Sequence, residues 1–169
     1  MNKYFASLFL VLTTFDMGIK QYIEDTFRKG EERGTGGCGL VIRRVHNKGF
    51  CLNTLDKYPA VIKSVSVFVC GTIGVYAYEL FRKRGQWIKK LGMTILGAGA
   101  FSNTFDRLVR GYVVDYYGFE CKNSKLSKIT ANLADLYVLI GSAIIVALEA
   151  AFGEKAEGYN GHTDKKRNR

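Results

Sequence analysis

Apolar residues in the 169-residue chain gather into four uncharged runs, 4–15, 64–78, 91–105 and 136–148, of 12, 15, 15 and 13 residues. Each alone is shorter than the roughly 18 apolar residues of a membrane span and would suit a buried helix of a soluble protein. Extended through charges close to their ends, the runs become 4–23, 59–81, 88–105 and 129–152. At about 1.5 Å per residue, helices of these lengths cover a hydrocarbon layer of about 30 Å. A soluble helix confines its polar residues to one stripe, whereas "SVSVFVCGTIGVYAY" and "LYVLIGSAIIVAL" are apolar all round. The pattern predicts an all-α membrane protein with four transmembrane helices. After the first helix, the polar "RKGEERGTGGCG" and the partly alternating "LVIRRVHNKGFCLNTL" predict a small extracytoplasmic β-like cap. Pro59 suits the first turn of the second helix, and Gly97, Ala98, Gly99 and Ser102 give the third a smooth packing surface.

Charge changes the picture by its distribution. The net charge of +10 invites a nucleic-acid reading, yet "RKRGQWIKK" puts five cations and no acid between the second and third helices, and the tail from residue 153 carries five more. That pattern follows the positive-inside rule, so both termini are expected in the cytoplasm, nucleic acid is not expected as a partner, and 1–152 forms one membrane domain followed by a basic cytoplasmic tail, 153–169. The first outer connection, 24–58, also holds seven Lys or Arg, diluted over 35 residues. No small-residue cleavage site follows the first run, which is expected to remain as a helix. The cysteines at 38, 51, 70 and 121 show no CxxC spacing, and His46 and His162 lie far apart, so no metal is expected. Cys38, Cys51 and Cys121 fall in outer segments, where pairing and free thiols are both open.

Ionisable groups inside a bilayer are costly and need partners or a function. Asp16 with Lys20, Asn103 with Asp106 and Asn132 with Asp135 are each three or four residues apart, so each pair shares a helix face that should point inward. With four crossings, all three pairs converge on the outer level. Asp115, in "GYVVDYY", lies in the connection between the third and fourth helices, which could dip back as a short re-entrant loop. Asp115 and Asp135 could then meet and share a proton, as in aspartic proteases. Equally, Asp135 could pair with Arg107 or Lys20 while Asp115 remains a solvated loop acid. Two other classes are a small transporter whose intramembrane acids carry protons, and a Ser/Lys peptidase using Lys20, to which no serine is tied by spacing. "GMTILGAGAFSN" lacks the glycine spacing and Lys-Ser/Thr of nucleotide loops.

"NTFDRLVRGYVVDYYGF" followed by "NLADLYVLIG" resembles the two signature segments of lipoprotein signal peptidase, signal peptidase II, and "DMGIK" and "VHNKGF" resemble its two earlier ones. The resemblance runs from Asp16 to about Gly141. It implies a four-helix aspartic endopeptidase of the bacterial inner membrane, working as a monomer among membrane lipids without metal or cofactor. Its substrate would be a prolipoprotein, cut before the cysteine that carries diacylglyceryl. The same match makes Asp115 and Asp135 the catalytic dyad, puts Asn103, Asp106, Arg107 and Asn132 at positions that shape the site, and puts Asp16, Lys20 and Asn47 at positions that line it. The chain departs from the family's usual pattern at Ala131, where Phe is usual, at Leu136, where a small residue is common, and at "NKGFC", in place of an alanine-rich continuation.

Overall fold

The structure, a computed structural model, describes residues 2–28, 30–34, 39–49, 56–119 and 129–167. Cys38, Cys51 and Cys121 lie outside the described residues. Four helices, α1 (Asn2–Thr26), α2 (Pro59–Arg82), α3 (Trp87–Val109) and α4 (Leu133–Arg167), are joined at one end by four short strands: β1 (Glu32–Gly34), β2 (Leu40–Asn47), β3 (Val113–Phe119) and β4 (Thr130–Ala131). Pro59 opens α2 as expected. Helix α3 packs on all three other helices and is the centre of the bundle.

Burial in α1 and α3 is inverted relative to a soluble protein. The buried stripe of α1 is Thr13, Asp16, Lys20 and Ile23, at spacings of three and four, while Leu10, Val11 and Phe15 are exposed. Helix α3 buries Ser102, Asn103, Thr104 and Asp106 and exposes Phe101, Phe105 and Leu108. Polar residues inside and apolar residues outside is the arrangement a hydrocarbon solvent dictates. Among the described residues, α2 and the 133–151 part of α4 are long and apolar enough to cross a membrane. The other two helices have the length, 25 and 23 residues, and are diluted by the polar residues they bury.

The strands form one antiparallel sheet in the order β1-β2-β3-β4. The expected cap after the first helix is therefore only half of it, because β3 and β4 come from the connection between α3 and α4. "GYVVDYY" is not a re-entrant loop. Val113 to Tyr116 are all buried; β2 pairs along the strand, β4 pairs with Tyr117 and Gly118, and Val114 N–H goes to Asp106 Oδ2, which satisfies backbone groups that a buried loop would leave unmade. Val114 and Tyr116 pack on Ile23 and Phe27 of the α1 end, so the sheet is anchored by an apolar cluster. Helix α3 closes at Arg110, and Gly111, with φ +82°, supplies the left-handed residue that turns the chain into β3.

The smooth face of α3 serves α4. A Cβ on Gly99 would collide with the carbonyl of Ala134, and one on Gly141 would stand 2.5 Å from the backbone nitrogen of Leu96 and 2.6 Å from the carbonyl oxygen of Gly92. The two backbones approach as small-residue interfaces allow. Gly141→Ala should therefore lower stability in detergent by about 1–3 kcal/mol, the scale of an overpacked core. Gly71→Ala, with open space around the site, should not. Unfolding titrations of the two variants check this.

Candidate active site

The site is built on the N-terminus of α4, where three backbone N–H groups have no partner within the helix. All three are taken by side chains from different elements. Leu133 N–H donates to the Tyr116 hydroxyl at 3.0 Å, Ala134 N–H to Asp16 Oδ1 at 3.1 Å, and Asp135 N–H to Asn132 Oδ1 at 3.0 Å. Asp135 Oδ2 in turn accepts from Asn132 N–H at 3.1 Å, which completes a reciprocal capping box. Asp135 is thus fixed at both its backbone and its carboxylate.

Asn132 also reaches sideways. Its Nδ2 donates to Asp115 Oδ1 at 2.7 Å, so one residue ties both carboxylates together. Asp115 Oδ2 accepts from Asn47 Nδ2 at 3.0 Å and from the Thr130 hydroxyl at 3.4 Å. Asp115 is 1% exposed on β3, which overturns its reading as a solvated loop acid. Burial first and the charge of Asp135 second push its carboxyl up to about 6, while the hydrogen bonds from Asn47 and Asn132 pull the other way. Asp135 is exposed on the open side of the site.

Behind the pair lies an ion network. Lys20 Nζ is 2.8 Å from Asp16 Oδ2 and 3.2 Å from Asp106 Oδ2, with all three side chains at most 1% exposed. It also donates to Asn103 Oδ1 at 2.8 Å, and Asn103 Nδ2 donates to Asp135 Oδ1 at 2.7 Å, so Asn103 couples the network to the exposed carboxylate. Lys20 is paired with Asp16 and Asp106, not with Asp135. Asp106 further accepts from Arg110 at 2.9 Å and from Val114 N–H at 3.3 Å, holding the start of β3. Arg107 reaches from α3 to the carbonyl of Gly49 at 3.2 Å, tying the residue two after Asn47 to α3. His46, 2.6 Å from Glu24 and stacked on Tyr112 at 3.9 Å, pins β2 and hence Asn47 to the end of α1.

The structure therefore brings together all nine residues singled out in the sequence. It adds Tyr116, Ser102, Thr130 and Arg110. Arg110 was findable as the i+4 partner of Asp106. Tyr116 carried no spacing signal, since it acts through a helix start that is 17 residues away. Its hydroxyl donates to Asp16 Oδ1 at 3.3 Å, and burial pushes its pKa up, keeping the donor protonated. A serine does meet Lys20: Ser102 Oγ is 3.3 Å from Nζ. It is fully buried and donates to Asp16 Oδ2 at 2.5 Å, so it is engaged as a structural donor and closed to substrate.

A groove of about 220 Å³ runs from Asp135, Arg107 and Asn103 down between α2, α3 and α4, walled by Val65, Val69, Ile73, Leu96 and Val138. The arrangement presents the open carboxylate of Asp135 at the head of an apolar slot, with the buried carboxylate of Asp115 tied to it through Asn132. Among the described residues, no group of three or more His, Cys, Asp or Glu is placed to hold a metal.

A family model described as "Signal peptidase (SPase) II" matches residues 8–151. The lipoprotein signal peptidase of Fusobacterium nucleatum is 26% identical over 148 residues, covering 88% of this chain and 87% of the relative. That of Lactiplantibacillus plantarum is 28% identical over 139 residues, 82% and 89% of the two chains. A bacterial membrane enzyme solved by the in meso method at 2.3 Å shares the fold, with a TM-score of 0.75 and 22% identity over 90% of this chain and 92% of that one.

Removing the ammonium leaves Asp16 buried without a counter-ion and leaves Asp106 with Arg110 alone. Lys20→Met should therefore cost about 3–5 kcal/mol, and adding Asp16→Asn should restore part of the loss. Strictly additive losses in unfolding titrations of the two single variants and the double variant would contradict the pairing.

Proposed function

The chain belongs to the signal peptidase II family, and from that premise we propose that it is an aspartic membrane endopeptidase that removes the signal peptide of diacylglyceryl-modified prolipoproteins before the lipidated cysteine. The observation that carries this reading is the double hold of Asn132 on Asp115 and Asp135, the second of which lines the head of the apolar groove. A signal peptide is itself an apolar helix ending in a short extended segment, and a groove between α2, α3 and α4 is the surface such a helix would occupy.

The chemistry is attack by water. Asp115 and Asp135 hold one proton between them. The ionised carboxylate takes a proton from water as the oxygen adds to the scissile carbonyl, while the protonated one donates a hydrogen bond to the carbonyl oxygen as it gains charge. Collapse of the tetrahedral intermediate breaks the C–N bond, the amine takes a proton from the dyad, and the products are a signal peptide ending in a carboxyl group and a lipidated cysteine with a free α-amino group. Charge balance supports one shared proton. Among the described residues the site gathers four carboxylates, Asp16, Asp106, Asp115 and Asp135, against three cations, Lys20, Arg107 and Arg110, so a single proton neutralises this set.

The rival proton-carrying transporter needs a polar path along the bundle. Between Thr94 and Ser102, α3 buries only Ala98 and Gly99, which argues for an apolar break at mid-bundle between the site and the buried Thr94 and Lys90. Four spans with both termini and the basic 153–169 tail in the cytoplasm complete the proposal. In a cysteine-free background, an impermeant thiol reagent on intact cells should label a cysteine at Arg33 and spare one at Gln86. The reverse would invert the topology.

Asp115→Asn and Asp135→Asn keep shape and remove the exchangeable proton, so each should lower cleavage of a lipidated prolipoprotein by at least about 10²-fold while the protein still folds. Near wild-type cleavage by folded Asp115→Asn would sink the mechanism. The proton held at Asp115 is lost as pH rises through about 6, so kcat/KM should fall on the alkaline side of that value. Asn47→Ala removes a hydrogen bond that favours the charged form, so this limb should move to higher pH.

A further inference from the structure

The end of the bundle opposite the dyad carries a second surface that the proteolytic reaction does not use. The turn from α2 into α3 sits about 24 Å from the site, the rise of the 16 residues between Trp87 and Asn103. Among the residues whose side chains are described, Arg82, Lys83, Arg84, Lys89 and Lys90 face two carboxylates there, Glu79 and Glu149, leaving a surplus of three positive charges within this set. Three of the five cations are committed internally. Arg82 is 3.6 Å from Glu79, Lys89 is paired with Glu149, and Lys90 is buried and donates to the carbonyl oxygen of Lys83 at 2.6 Å. Lys83 and Arg84 are exposed. The Lys83 charge is felt by Glu149, but Lys89 already holds that carboxylate, and Arg84 makes no hydrogen bond or ion pair with any described residue.

Beside these cations, α3 and α4 enclose a groove of about 480 Å³ lined by Gln86, Trp87, Ile88, Lys89, Leu148 and Glu149. Trp87 is 60% exposed and Tyr78, under Arg82, is 63% exposed. Exposed aromatic rings interleaved with cations, directly above the exposed apolar side chains Phe68 and Val75 of α2, mark the level of lipid headgroups. An acidic peptide or nucleic acid would match the charge but not the apolar wall running down from it.

We propose that this turn and groove bind the headgroup of an anionic phospholipid, with Lys83 and Arg84 holding its phosphate and Trp87, Ile88 and Leu148 lying against its glycerol and upper acyl carbons. The proposal rests on the bundle spanning a bilayer. It assigns the basic turn a lipid preference in addition to its part in orienting the chain.

Trp87 is the only tryptophan of the chain, so its fluorescence reads this site alone. The full-length protein is reconstituted in phosphatidylcholine vesicles containing equal mole fractions of either brominated phosphatidylglycerol or brominated phosphatidylcholine, and quenching is compared. The anionic lipid should be preferred by roughly fivefold or more, the scale of one basic residue at an anionic surface, and the preference should shrink with salt. Lys83→Gln combined with Arg84→Gln should bring the ratio to about one without changing prolipoprotein cleavage in detergent. Equal quenching in the wild type, or a preference that survives the double substitution, overturns the lipid site. Quenching by neither lipid overturns the membrane placement as well.

Discussion

The sheet end of this protein depends on one ammonium group with no access to water. Lys20 brings a full charge to a depth where desolvation costs several kcal/mol, and the fold offsets that cost with two carboxylates, an amide oxygen and a hydroxyl arranged around Nζ. Each partner does something further. Asp16 caps α4, Asp106 fixes the start of β3, Asn103 holds Asp135, and Ser102 returns its proton to Asp16. Three helices and a strand are therefore registered by groups that could not be left alone in hydrocarbon.

The consequence for chemistry is an asymmetric pair of acids. Asp115 is sealed in the sheet and Asp135 opens onto the groove, yet Asn132 contacts both. A helix start is a suitable place for the open member, because the capping box fixes its backbone and its carboxylate, while burial works against ionisation of Asp115. Opposite environments around two carboxylates are what separate an acid from a base. Space for the groove is left because α2 buries only Ile62, Ser66 and Leu80 along its 24 residues, and Val65, Val69 and Ile73 make its wall apolar.

Much of this was legible in the sequence. The four helices were visible because charge is excluded from their interiors, and the inward faces were visible because Asp16, Lys20, Asn103, Asp106, Asn132 and Asp135 recur at helical spacing. What period and spacing cannot encode is partnership between distant elements. Tyr116 sits beside Asp115 but serves the first turn of α4, and Ser102 looked like a small packing residue until Lys20 and Asp16 were placed around it. The strand character of "GYVVDYY" was missed for a related reason. A short run with both faces buried has no alternation, and only the flanking β2 and β4 distinguish it from a loop that dips toward the membrane.

The claim on which the account turns is that Asp115 and Asp135 hold one proton under conditions where ordinary carboxylates hold none. Infrared difference spectroscopy of the detergent-solubilised protein at pH 5.5, in light and heavy water, observes that proton directly through the carbonyl stretch of a protonated carboxyl group. The account predicts a deuterium-sensitive band in the wild type that disappears in Asp115→Asn and fades as pH rises through about 6. Absence of the band in the wild type, or its persistence unchanged in Asp115→Asn, would contradict the shared-proton dyad.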